Sequence, residues 1–216
     1  MIATFITFFL TIILIILVLL NLTYKKQDTN RKLAVFGGSF NPLHIGHKAI
    51  IKDLSEKYDW VYLIVTPKNP LKDTVSSDTV NERLNKAYNA MLKHEIFNIT
   101  VSDIEKDMLP PYYTIKTLDE LKRINPNGEF TLVIGADNLR QMREWKDYKR
   151  ILLEYGVLVY PRGNDDVNVL ETLKYEFLKE NPQYRIEISD TVIPNISSTE
   201  IRGAILQGSN VDNLLM

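Results

Sequence analysis

From Lys32 onward, short continuous apolar runs alternate with stretches whose apolar residues recur every three or four positions. Lys32–Phe36 reads as a strand, and Ile45 to about Lys57 as a helix. Trp60–Val65 is wholly apolar, the pattern of a parallel strand buried on both faces. Residues 66–78, rich in Pro, Lys, Ser and Asp, read as a mobile loop. Helices are predicted over 79–93, with Leu84, Ala87, Tyr88 and Met91 on one face, and over 114–123, after Pro110-Pro111. Strands are predicted at 99–101, at 130–134, leading into Gly135-Ala136-Asp137, and at 157–160, followed by a turn over 161–164. A helix over 149–154 separates the last two. The pattern closes with a helix over 169–180, a strand over 185–188 and a helix over 197–206. Strand and helix in alternation predict a doubly wound parallel sheet of the α/β class.

The segment before Lys32 breaks this pattern. Residues 2–22 carry no charge, and their polar residues are only Thr4, Thr7, Thr11 and Asn21. As a helix the span would measure about 30 Å, the thickness of a bilayer's hydrocarbon core. No basic residue precedes it and Leu20-Asn21-Leu22 is a poor cleavage site, so a signal peptide fits less well. The expectation is a transmembrane anchor over 1–23, a polar linker over 24–31 and one α/β domain over 32–216. Lys25, Lys26, Arg31 and Lys32 follow the span, so a single-pass protein with its domain in the cytoplasm is expected.

Composition removes several chemistries. The chain has no cysteine, which excludes disulfides, thiolate metal sites and Cys nucleophiles. Its net charge of −1 gives no footprint for nucleic acid, and none is expected as a partner. Nothing in the sequence sets an oligomeric state.

The candidate chemistry begins at Gly37-Gly38-Ser39-Phe40-Asn41-Pro42-Leu43-His44-Ile45-Gly46-His47. Two glycines allow a sharp turn and close approach of the backbone to a ligand. Pro42 keeps Asn41 out of the α region, so the loop stays open until the helix starts. The helix start offers free N–H groups and a positive dipole end, which suits phosphate. Two of the chain's three histidines are here, three residues apart, and share a face if both are helical. The run has neither the G-x-G-x-x-G of dinucleotide-binding folds nor the Gly-Lys-Ser/Thr of the P-loop.

A second constellation is Ile196-Ser197-Ser198-Thr199-Glu200-Ile201-Arg202. Ser197 and Glu200 have capping-box spacing. Ser198, Thr199, the first-turn N–H groups and Arg202 then form a second anion site, since arginine grips phosphate through two N–H groups at once.

The first run resembles the G-x-F-x-P-x-H-x-G-H signature of the nucleotidylyltransferase superfamily at Gly38, Phe40, Pro42, His44, Gly46 and His47. The second resembles its I-S-S-T-x-I-R signature. Between them, Asn69-Pro70-Leu71-Lys72 is similar to the P-P-H-K loop, and Tyr113–Leu118 to the S-Y-T-x-x-T-L helix start. Gly135-Ala136-Asp137 with Trp145 is similar to the G-x-D and tryptophan segment, and Val159–Gly163 to the V-x-x-R-x-G strand end. The resemblance covers residues 32 to about 207 and is to the bacterial-type nicotinate (nicotinamide) mononucleotide adenylyltransferases. Asn41 stands where aspartate is common, Leu71 replaces the histidine of P-P-H-K, and Tyr112 replaces the serine before Tyr113-Thr114. The chain ends soon after the last motif, where the family adds a further short helix.

The resemblance implies a Rossmann-like nucleotidylyltransferase fold. It implies attack of nicotinate mononucleotide on the α-phosphorus of ATP, giving deamido-NAD and pyrophosphate in NAD biosynthesis. Nicotinamide mononucleotide, another phosphorylated acceptor, and a non-catalytic nucleotide-binding protein remain as alternatives. His44, His47 and Arg202 would carry the transfer. Gly37, Gly38, Ser39, Phe40, Asp137, Ser198 and Thr199 would bind ATP, and Lys72, Tyr113, Thr114 and Trp145 the acceptor. Mg²⁺ would be held by the nucleotide, with no metal ligands from the chain. Asp137 reads as a ribose contact or a turn residue. Tyr113 and Trp145 read as stacking or core aromatics, and Lys72 as an acceptor-phosphate contact or a loop charge. Arg83 and Glu105 read as surface charges.

Overall fold

The structure, a computed structural model, describes residues 12–15, 30–67, 79–163 and 165–216. By its contacts the chain divides into residues 1–30 and residues 31–216. In the first unit the described Ile12–Ile15 are helical and exposed. The expected membrane-spanning helix over 2–22 is corrected here. Among the described residues no helix is long and apolar enough to cross a membrane, and the rest of that span lies outside them. The single-pass localisation, its cytoplasm-facing domain and the membrane partner rested on that helix and fall with it.

The second unit is built on six parallel strands: β1 (Lys32–Gly38), β2 (Trp60–Val65), β3 (Ile99–Ser102), β4 (Glu129–Gly135), β5 (Val157–Tyr160) and β6 (Ile186–Ile188). Their order is β3-β2-β1-β4-β5-β6, the doubly wound order, with its reversal between β1 and β4. Register is set by pairs such as Val35 with Tyr62 and with Leu132. Helices α1 (Ile45–Lys57) and α2 (Val80–Lys93) bury Ile51, Leu54, Ala87 and Met91 against Ala34, Phe36, Leu63 and Val65. Helices α3 (Thr114–Ile124) and, further along, the one over Val167–Glu180 bury Leu118, Leu121, Leu170 and Phe177 against Leu33, Val35, Leu132 and Ile134. Successive strand residues point to opposite faces, so β1 feeds both cores.

The expected helix over 149–154 has its own geometry. A short helical turn α5 (Tyr148–Arg150) runs into a π-helical turn over Ile151–Tyr155, closed by Gly156 at φ +76°. Ahead of it, the short helix α4 (Ala136–Arg140) and the tight turn Met142–Glu144 link β4 to α5. The helix over Val167–Glu180 is α6, and α7 (Ser198–Leu206) ends the α/β alternation. Residues beyond it return to the first motif. Val211 is buried, Leu215 pairs antiparallel with His44, and the Met216 N–H donates to Leu43 O at 3.4 Å.

Candidate active site

Both motifs lie at the carboxyl end of the sheet. Gly37 and Gly38 are the last residues of β1, beside Ile64 and Val65 of β2. The open space around Gly37 would admit a Cβ, whereas one on Gly38 would press the Phe40 ring at 3.1 Å. Phe40 is buried with φ +45°, an unusual conformation for a bulky residue. Such outliers persist where the surroundings over-determine them. Here the Phe40 ring packs edge-on against Phe36 and His47.

The condition for a shared helical face holds for His47 alone. His47 is in the first turn of α1, while His44 is its extended N-cap residue at φ −140°. The two rings meet by stacking, with centroids 3.7 Å apart and planes 25° from parallel. The His44 N–H donates to His47 Nδ1 at 3.3 Å. A neutral His47 that accepts at Nδ1 carries its proton on Nε2, which makes Nε2 a donor. Gly46 is required by the same packing: a Cβ there would meet the His44 ring at 3.1 Å and Ile196 of the second motif at 3.2 Å.

Burial pushes the His44 pKa from 6.5 down to about 4; the Arg162 charge adds to this and Glu200 opposes it. The His47 pKa is held well below 6.5 by burial, then by His44 and Arg162. Both rings are therefore neutral in the folded chain near pH 7. The sign of the consequence follows from linkage. Below pH 6.5 the unfolded chain takes up protons that the folded histidines refuse, so stability is full above that pH and falls on acidification. For His44 the expected loss is about 2 kcal/mol at pH 5. Thermal melts at pH 7.5 and pH 5 check it: His44→Gln should lose clearly less Tm than the wild type. An equal loss would remove His44 from the acid sensitivity.

The second motif forms as its spacing predicts. Ser197 Oγ accepts from the Glu200 N–H at 3.2 Å, and Glu200 Oε2 accepts from the Ser197 N–H at 2.8 Å. The fold then fastens this helix start to the first motif. Ser198 Oγ donates to Pro42 O at 3.0 Å, and Arg202 Nη1 donates to Asn41 O at 2.7 Å. Arg202 Nη2 also reaches Thr199 Oγ1 at 3.1 Å. Two helix N-termini, two neutral imidazoles and a guanidinium are thus joined on one loop. That arrangement gathers hydrogen-bond donors and positive ends of dipoles, which suit a polyphosphate.

Arg162, just after β5, is the arginine of the V-x-x-R-x-G strand end, to which sequence reasoning gave no role in the site. Its charge acts on His44, His47 and Glu200 together, and Nη1 lies 3.6 Å from Asp137 Oδ2. The available signal was its place at a strand end, where open α/β sheets bind ligands. Asp137 sits in the first turn of α4, exposed, paired also with Arg140 at 3.2 Å. Tyr113 is the N-cap residue of α3, next to half-buried Thr114. Tyr113 and Trp145 are both half-buried against the core cluster of the α3 face, and Trp145 Nε1 has no hydrogen-bond partner. Lys72 lies outside the described residues. Arg83 and Glu105, expected as surface charges, are buried, at 1 % and 5 % exposure.

Residues 35–204 match the family model described as Cytidylyltransferase-like. A Flavobacterium johnsoniae protein named "Probable nicotinate-nucleotide adenylyltransferase" is 37 % identical over 186 residues, 85 % of this chain and 91 % of its own length. One of the same name from Bacteroides fragilis is 37 % identical over 182 residues, 83 % of this chain and 85 % of its own. Among solved structures, the Plasmodium falciparum nicotinic acid mononucleotide adenylyltransferase complexed with NaAD superposes with a TM-score of 0.68. It is 19 % identical, covering 85 % of this chain and 88 % of that one, and supports the fold.

Proposed function

We propose, from the premise that the chain belongs to the cytidylyltransferase-like family and within it to the nicotinate-nucleotide adenylyltransferases, that it transfers the adenylyl group of ATP to nicotinate mononucleotide. One observation carries the reading: Arg202 and Ser198 are hydrogen-bonded to Asn41 O and Pro42 O, which closes the second motif around the stacked histidines of the first.

The chemistry needs no side-chain nucleophile. An oxygen of the acceptor's 5′-phosphate forms a bond to the α-phosphorus of ATP. The bond from that phosphorus to the bridging oxygen breaks, and pyrophosphate leaves with its electron pair. Catalysis is then positioning plus neutralisation of developing charge. His47 Nε2–H and His44 donate to the phosphates, with His47 nearer the reacting one. Arg202, Ser198, Thr199 and the N-terminus of α7 hold the leaving pyrophosphate. Gly37, Gly38 and Ser39 let the backbone approach the nucleotide, and Phe40 holds the His47 ring. Arg162 adds positive charge beside the histidines. Asp137 faces the ribose, and its pairing with Arg162 ties that contact to the phosphate site. Tyr113 and Trp145 offer flat faces to the acceptor's pyridine ring, Thr114 binds at the start of α3, and Lys72 meets the acceptor phosphate.

Among the described residues no group of three or more His, Asp or Glu side chains is placed to hold a metal ion. ATP is taken as its Mg²⁺ complex, in which phosphate oxygens hold the ion.

Pyrophosphate release with a panel of acceptors tests the reading. Nicotinate mononucleotide should give the highest kcat/KM. Preference for the nicotinamide form or another phosphorylated metabolite would move the acceptor while keeping the reaction. ATP binding with no release for any acceptor would sink the reading.

A further inference from the structure

Two charged residues are buried beside the site and belong to neither motif. Arg83 projects from α2 to the carboxyl ends of β1 and β2. Its Nη1 donates to Ser39 O at 2.7 Å and Thr66 O at 2.9 Å, and its Nη2 to Pro67 O at 3.3 Å. A guanidinium is a rigid plane with five N–H groups, so one side chain fixes the spacing of three carbonyls on two segments. One of those carbonyls, that of Ser39, lies inside the phosphate loop.

Glu105 sits in the tight turn Ile104–Asp107 after β3. Its Oε1 accepts from Thr117 Oγ1 at 2.7 Å, and its carboxyl also meets the Thr66 side chain. Thr117 is itself buried, one turn into α3 from Tyr113-Thr114. Burial raises the Glu105 pKa, and the two threonine bonds act against that rise.

Thr66 is the meeting point. Its N–H donates to Gly38 O at 3.0 Å, its carbonyl accepts from Arg83, and its hydroxyl faces Glu105. A continuous path of contacts therefore runs from Gly38 and Ser39 through half-buried Thr66 to buried Glu105 and Thr117. One end is the loop proposed for ATP and the other is the helix start proposed for the acceptor.

We infer that Arg83 and Glu105 are positioning residues that set the spacing between the nucleotide loop and the acceptor helix. This rests on the adenylyl-transfer reading. In-line attack between two bound substrates depends on the geometry of both sites together. A misplacement of about 1 Å costs on the order of a hundredfold in rate. Neither residue need touch a substrate to act this way. Glutamate at 105 serves two threonines on separate elements, and arginine at 83 serves two segments that must not drift apart.

Arg83→Lys keeps the charge but cannot bridge three carbonyls; Glu105→Gln keeps the shape but changes one acceptor to a donor. In folded variants each should lower kcat roughly tenfold or more. ATP binding measured alone should stay within about threefold, because each site survives and their spacing is what changes. The double variant should be little worse than the poorer single, since both cut one path. Amide hydrogen exchange supplies a readout free of activity. Glu105→Gln should speed exchange at residues 38–41, and Arg83→Lys at residues 115–117, each at the far end from the substitution. Lowered Tm with unchanged kcat, or exchange altered only around the substituted element, would overturn the inference and leave two structural residues. A wild type that releases no pyrophosphate would sink the adenylyl-transfer reading alone, and the far-end exchange would still decide whether the path exists.

Discussion

His47→Ala is expected to lower kcat by roughly a few hundredfold, the effect of losing about 3–4 kcal/mol of transition-state stabilisation from one aimed donor. The ring is held before any substrate arrives. Its Nδ1 is taken by the His44 N–H, and Phe36, Phe40 and His44 pack around it. Burial keeps it neutral, so the proton on Nε2 stays available for the phosphate. A donor fixed in this way gains most where charge develops, at the reacting phosphorus and its bridging oxygen. The KM for ATP should therefore move little, within about threefold. His47→Gln, which retains an N–H donor at the same number of bonds from Cα but on a flexible stem, should recover part of the rate. Steady-state kinetics on protein with wild-type circular dichroism checks both. An unchanged kcat in folded His47→Ala would remove this histidine from the mechanism.

Arg202→Ala is expected to lower kcat/KM by about a hundredfold and to raise the KM for ATP by about tenfold. Two losses combine. The guanidinium is proposed to grip phosphate oxygens already present in the ground state, which sets the change in KM. It also donates to Asn41 O, so its removal loosens the loop that carries both histidines. Arg202→Lys should fall between alanine and wild type, because a point charge cannot serve Asn41 O, Thr199 Oγ1 and a phosphate in one plane. Initial rates across a range of ATP concentrations separate the terms. A KM for ATP equal to that of the wild type would count against the ground-state grip.

The sheet was legible because its central strands are continuous apolar runs. Trp60–Val65 and Val157–Tyr160 begin and end where the pattern placed them, and α1 spans Ile45–Lys57 as read. Short elements carried no such signal. The turn Ile104–Asp107, α4 and the turn Met142–Glu144 are three to five residues each, too short to show a helical period. The π-turn over Ile151–Tyr155 looks helical in its spacing, and only Gly156 hints at how it stops. The expected transmembrane helix came from composition alone, without contacts to test it, and no such helix stands among the described residues.

At the site, the two motifs were legible as local patterns, including the Ser197–Glu200 capping box. Their joining was not. The bond from Arg202 to Asn41 O spans 161 positions, and nothing in the spacing of either motif encodes it. Arg83 and Glu105 were misread for a general reason. Charged side chains are mostly exposed, so composition argues for the surface. The carbonyls that accept from Arg83 belong to segments 16 to 44 residues away and leave no mark in the sequence. Arg162 was legible as the arginine of the V-x-x-R-x-G strand end, but its effect on His44 and His47 was not, since that depends on β5 lying two strands from β1.

The most direct measurement follows the label. The full chain is given nicotinate mononucleotide and ATP labelled with ³²P at either the α or the γ position, and the products are separated. Adenylyl transfer places the α label in the dinucleotide and the γ label in pyrophosphate. Label from the γ position on the acceptor, or an α label that never leaves the ATP pool, would contradict the proposed reaction at the Gly37–His47 loop.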